Sequence, residues 1–97
     1  MKKFKYEFMV MEGFQEKKKI HDGDQWLFKY DNGYGASVVQ HSGSYGGQDG
    51  LYEIAVLDSS GEMSYSTPIT DDVIGYADEV KLYETLDRIK TLWISFT

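Results

Sequence analysis

Residues 51–57, Leu-Tyr-Glu-Ile-Ala-Val-Leu, are apolar at nearly every position. A strand covered on both faces reads this way, which places it centrally in a sheet. Other segments supply its neighbours. From Lys3 to Met11 the pattern alternates, with Phe4, Tyr6, Phe8 and Val10 on one side, as in a half-buried strand. Gln25 to Tyr30 puts Trp26, Phe28 and Tyr30 on one face, and Gly35 to His41 is the return strand. Between them lies Asp31-Asn32-Gly33-Tyr34, where Asn-Gly predicts a tight hairpin with positive φ at both central positions. Glu62 to Ser66 predicts a further short strand, and Glu12 to Asp24 reads as a long polar loop or hairpin tip.

The period then changes. Thr67-Pro68-Ile69-Thr70-Asp71-Asp72 reads as a strand end followed by a helical start, with Thr70 or Asp71 as N-cap and Gly75 interrupting the first turn. From Asp78 to Leu92, Leu82, Leu86 and Ile89, continued by Trp93, form a helical stripe. Asp78 and Glu79 near its start, and Arg88 and Lys90 near its end, suit the helix dipole. The predicted class is α+β: a four- to five-stranded antiparallel meander with one C-terminal α-helix packed on a face, in a single domain over residues 1–97.

The chain has no cysteine, which removes disulfides, thiolate metal sites and cysteine nucleophiles together. The net charge of −6 is uneven, at +2 over residues 1–30 and −8 over residues 31–97. Lys17-Lys18-Lys19 is the one basic run, too little for a nucleic-acid face. No apolar run approaches the roughly 18 residues of a membrane span. Glu7 and Glu12 interrupt any signal-peptide core after the basic start. The expected location is cytoplasmic, with no membrane partner.

Three strings carry a resemblance. They are Asn32-Gly33-Tyr34-Gly35-Ala36-Ser37-Val38-Val39, then Ser44-Tyr45-Gly46-Gly47 leading into Leu51 to Leu57, and Thr67-Pro68-Ile69-Thr70-Asp71-Asp72-Val73-Ile74-Gly75-Tyr76. Together they resemble a family of small uncharacterised bacteriophage and prophage proteins, over about half of the chain. The resemblance implies a phage or prophage accessory protein in the host-cell cytoplasm. It implies no catalytic residue.

Chemistry-bearing residues are few. His21 with Asp22 and Asp24 invites a metal reading but has no recognised ligand spacing, so a solvated loop is expected. His41, just before the glycine-rich connection 42–50, suggests a small enzyme or ligand-binding module around Gly43–Gly50, although no nucleophile is identifiable beside it. That connection has Gln48-Asp49 where a phosphate cradle needs Gly-Lys-Ser/Thr at a helix start. No cofactor is expected. Asp71 and Asp72 read most simply as a cap and a dipole partner. The leading reading is a non-enzymatic protein that binds a host or phage protein. Its expected contacts are Tyr34, Tyr45, Gly46, Gly47, Asp71, Asp72 and Tyr76, because tyrosines among glycines and acids suit an interface. The alternative is an acidic DNA mimic that occupies the groove of a nucleic-acid-binding enzyme. A homodimer through an open sheet edge fits either, with Lys3, Lys5 and Glu7 as edge guards.

Overall fold

The apolar run becomes β4 (Tyr52–Leu57), an interior strand flanked by β3 (Gly35–Gln40) and β5 (Val73–Ala77). The computed structural model describes residues 10–65, 67, 69 and 73–92. With β1 (Phe14–Ile20) and β2 (Gly23–Lys29), these strands form one antiparallel sheet in the order β1-β2-β3-β4-β5. Helix α1 (Glu79–Lys90) packs across β3, β4 and β5, completing an α+β meander.

Register explains the core. Trp26 faces Val38 and Phe28 faces Ala36, while Val38 faces Ile54 and Ala36 faces Val56. Directly opposed residues lie on the same face of a pleated sheet, so these side chains make one apolar surface. Leu82, Leu86 and Ile89 of α1 cover it, and all of these residues are buried. The stripe at Leu82, Leu86 and Ile89 is therefore what orients the helix. Asp78 caps it, accepting the Lys81 N–H at 2.8 Å.

Several expectations give way. The loop expected over Glu12 to Asp24 is instead β1, the His21-Asp22 turn and the first residues of β2. As an edge strand exposed from Gln15 to Lys19, β1 carries no apolar alternation, and backbone pairing with β2 holds it. Of the strand expected at Lys3 to Met11, residues 1–9 lie outside the described residues, and Val10 and Met11 belong to no strand. Of the strand expected at Glu62 to Ser66, the described residues show a single bridge between Leu57 and Met63, and Ser66 lies outside them. Asp58 closes that turn by accepting from the Ser60 hydroxyl and from the Ser60 and Glu62 N–H groups. Gly75 lies inside β5 rather than in a helical turn, because Ile74 and Val73 find partners in Ile54 and Ala55. Thr70, Asp71 and Asp72, with Trp93 and the tail after it, lie outside the described residues.

The Asn-Gly hairpin also differs in detail. Only Gly33 of the pair has positive φ, at 92°. The connection closes through Gly33 N–H to the Tyr30 carbonyl at 3.1 Å and Tyr30 N–H to the Tyr34 carbonyl at 2.8 Å. Asn32 is thereby free to serve the helix. Its amide nitrogen lies 2.8–3.0 Å from the carbonyl oxygens of Ile89, Lys90 and Leu92. The last carbonyls of a helix lack internal donors, so this side chain ties the C-terminus of α1 to the sheet. Among the described residues, no helix is long and apolar enough to cross a membrane.

Candidate functional site

The connection from β3 to β4 folds tightly on itself. Ser44 is its hub: its hydroxyl donates to the His41 carbonyl at 2.8 Å and accepts the His41 N–H at 3.0 Å. A single 3-10 turn follows at Gly47–Asp49, and Leu51 N–H returns to the Gly46 carbonyl at 2.9 Å. The Gln48 amide donates to the Ser42 carbonyl at 3.1 Å. Gly47 lies so near the strand end that an added Cβ would meet the His41 carbonyl oxygen at 1.8 Å. The glycines here permit close packing.

This compact loop holds Tyr45 outward. The Tyr45 N–H donates to the Glu53 carboxylate at 2.8 Å, and the Tyr45 carbonyl accepts the Tyr76 N–H at 3.1 Å. A Cβ at Gly75 would lie 2.5 Å from the Tyr45 Cβ, and one at Gly46 would lie 2.8 Å from the Tyr76 Cα. Both glycines are thus required for loop and strand to touch. Tyr76 has φ 53°, a left-handed conformation unusual for a tyrosine. The pairing of β4 with β5 is irregular between Tyr52 and Ile54, and such irregularities re-aim side chains. The outcome is two neighbouring tyrosines that are 58% and 63% exposed.

Of the residues expected at an interface, Tyr45, Gly46, Gly47 and Tyr76 come together at this end of the sheet. Tyr34 does not join them. It follows the β2–β3 turn at the opposite end and packs half-buried against the core. Asp71 and Asp72 lie outside the described residues. Glu53 and Gly75 were missed as site residues: Glu53 reads as an ordinary strand position, and Gly75 as a helix interrupter.

On the other side of the loop, the His21-Asp22 turn leans against it. Asp22 accepts the Ser42 N–H at 2.9 Å, and the rings of His21 and His41 lie 4.8 Å apart at 54°. His41 Nδ1 accepts the Gly43 N–H at 3.0 Å, so in the neutral ring the proton sits on Nε2. Asp24 is engaged by Lys17 at 3.9 Å and Lys19 at 3.4 Å. No three histidine or acidic residues among those described are arranged to hold a metal. Two polar clefts flank the loop and share Ser42 and Gln48. One, of about 320 Å³, includes Asp22, Asp24 and His41; the other, of about 280 Å³, includes Asp49 and Tyr76.

The hydrogen bond from Ser42 N–H lowers the carboxyl of Asp22 from its ordinary value of 3.8, with the His41 charge a smaller contribution. A lowered folded value means that the contact stabilises fully above the ordinary value and is lost as pH falls through the lowered one. The Ser42 amide resonance should therefore titrate with a midpoint below 3.8 when pH is taken from about 6 to about 2. A midpoint at or above that value would show that the Asp22–Ser42 contact does not persist in solution.

Comparison with protein-family models, curated proteins and solved structures finds no match.

Proposed function

We propose that this chain is a non-enzymatic binding protein that engages a protein partner through the Tyr45–Tyr76 face. The adjacency of two largely exposed tyrosines on a hydrogen-bonded scaffold carries the reading. Tyrosine presents a large, stiff, amphipathic surface that loses little conformational entropy on binding, and it is enriched among residues that dominate interface energetics. The backbone bonds that set the loop against β5 reduce the ordering cost at association. The resemblance to small phage and prophage proteins supports an accessory role in the host cytoplasm, with the partner a host or phage protein.

A second reading, a small polar ligand beside His41, is favoured by the cleft there. It ranks lower because the described lining groups are largely spent on one another: Asp22 on Ser42, Asp24 on Lys17 and Lys19, and Gln48 on the Ser42 carbonyl.

Affinity capture from bacterial lysate, followed by reconstitution with the purified partner, tests the proposal. Wild type should retain one partner, and Tyr45→Ala/Tyr76→Ala should weaken it by at least about 30-fold, the equivalent of about 2 kcal/mol. Equal affinity for both proteins would refute the assignment of this face.

A further inference from the structure

From residue 30 to residue 80 the chain contains nine aspartates and glutamates and not one lysine or arginine. The fold gives that bias a location. Strands β3, β4 and β5 belong wholly to this stretch, whereas Lys17, Lys18 and Lys19 lie on β1 at the far edge of the sheet. Helix α1, which packs on these strands, adds Lys81, Arg88 and Lys90 balanced by Glu79, Glu84 and Asp87, so the half that holds the Tyr45–Tyr76 face stays net acidic. Glu53 holds the Tyr45 backbone through one carboxylate oxygen, and Asp49 lines the cleft that Tyr76 walls. That cleft presents serine, glutamine and carboxylate groups with no cation among its lining residues, so it disfavours phosphates and other anions.

We infer that the occupant of this face is a basic protein segment that lays an arginine side chain over the Tyr45 and Tyr76 rings, beside Asp49 and Glu53. The inference rests on the protein-binding reading above and adds the chemistry of the partner. Guanidinium meets both halves of the surface. Its planar face is attracted to the negative face of a tyrosine ring, and its edge donates to carboxylate and carbonyl oxygens. Lysine satisfies the charge but not the stacking. Exposed charges alone are screened over about 8 Å at physiological salt, so the rings must contribute specificity that the general acidity cannot.

The test uses the full chain, isotopically labelled, with two peptides of alternating glycine and arginine or glycine and citrulline, at about 150 mM salt. Citrulline keeps the shape and loses the charge. The arginine peptide should shift amide resonances concentrated at residues 42–50 and 75–77, and the citrulline peptide should shift none. Asp49→Asn/Glu53→Gln keeps the acceptor for the Tyr45 N–H while removing two charges, and it should weaken arginine-peptide binding at least about 10-fold. Tyr45→Ala/Tyr76→Ala should weaken it by a similar factor without changing net charge. Equal binding of both peptides, unchanged affinity in either variant, or shifts spread over Asp31, Asp58 and Glu62 would each overturn the inference. If a captured partner depends on the tyrosines but not on Asp49 and Glu53, the binding face stands and its basic occupant falls. Loss of tyrosine dependence removes both. A dimer of the chain itself, dissociated by Tyr45→Ala in sedimentation, would replace the basic segment with a second copy.

Discussion

Replacing Gly47 with alanine is expected to lower stability by about 3 kcal/mol and to dismantle the candidate site with it. The new methyl would lie 1.8 Å from the His41 carbonyl oxygen and 2.4 Å from the Ser44 hydroxyl. Neither neighbour is the free end of a long side chain. The carbonyl is backbone at the end of β3, and the hydroxyl is the hub that closes the loop. The loop must open at its Ser44–His41 hydrogen bonds, and the bond from Tyr76 N–H to the Tyr45 carbonyl is displaced with it. Gly50 in the same loop provides the comparison. It has φ 76° and open space around a Cβ, so Gly50→Ala meets only backbone strain of about 1 kcal/mol. Urea unfolding of the two variants should show a much larger fall in midpoint for Gly47→Ala. The reverse order would mean that conformation, rather than close approach, governs the loop.

Trp26→Ala should cost about 3–5 kcal/mol. Trp26 is fully buried, opposes Val38 on β3 and meets Tyr52 edge-to-face with ring centroids 5.9 Å apart. Lys17 of the edge strand lies over it at 5.7 Å. Removing the indole leaves a cavity between β2 and its cover that rigid strands cannot collapse to fill. A domain of this size has roughly 5–15 kcal/mol in total, so the variant should stand near the unfolding threshold at room temperature. Leu27 is the next residue along β2, half-buried on the other face, and Leu27→Ala should cost about 1 kcal/mol. Thermal or urea unfolding of the pair separates the two faces. Similar losses would indicate that the helix-covered face is not the core.

What was legible in the sequence follows the physics of each signal. The segments now β2, β3 and α1 were readable because burial forces a period on them, two for Trp26 and Phe28, 3.6 for Leu82, Leu86 and Ile89, and β4 because burial on both faces leaves it apolar nearly throughout. β1 was hidden because Gln15 to Lys19 are polar throughout, and the face toward Trp26 is covered by a lysine rather than an apolar residue. β5 was hidden for a different reason: its five residues include a glycine, and its pairing partners Ile54 and Ala55 lie some twenty residues away. Tyr45, Gly46, Gly47 and Tyr76 were picked out as turn tyrosines and glycines. Their meeting was not readable, since it depends on β5 standing beside β4. Tyr34 carries the same local signal as Tyr45, yet an antiparallel meander sends alternate turns to opposite ends of the sheet.

On the proposal above, a protein partner sits on the Tyr45–Tyr76 face rather than at the Tyr34 turn or along β1. Hydrogen–deuterium exchange of the chain alone and in complex with its captured partner tests this directly. New protection should be confined to peptides covering residues 42–51 and 73–78, with the Tyr34 turn and β1 unchanged. Protection at the Tyr34 turn or along Phe14–Ile20, with residues 42–51 unaltered, would contradict it.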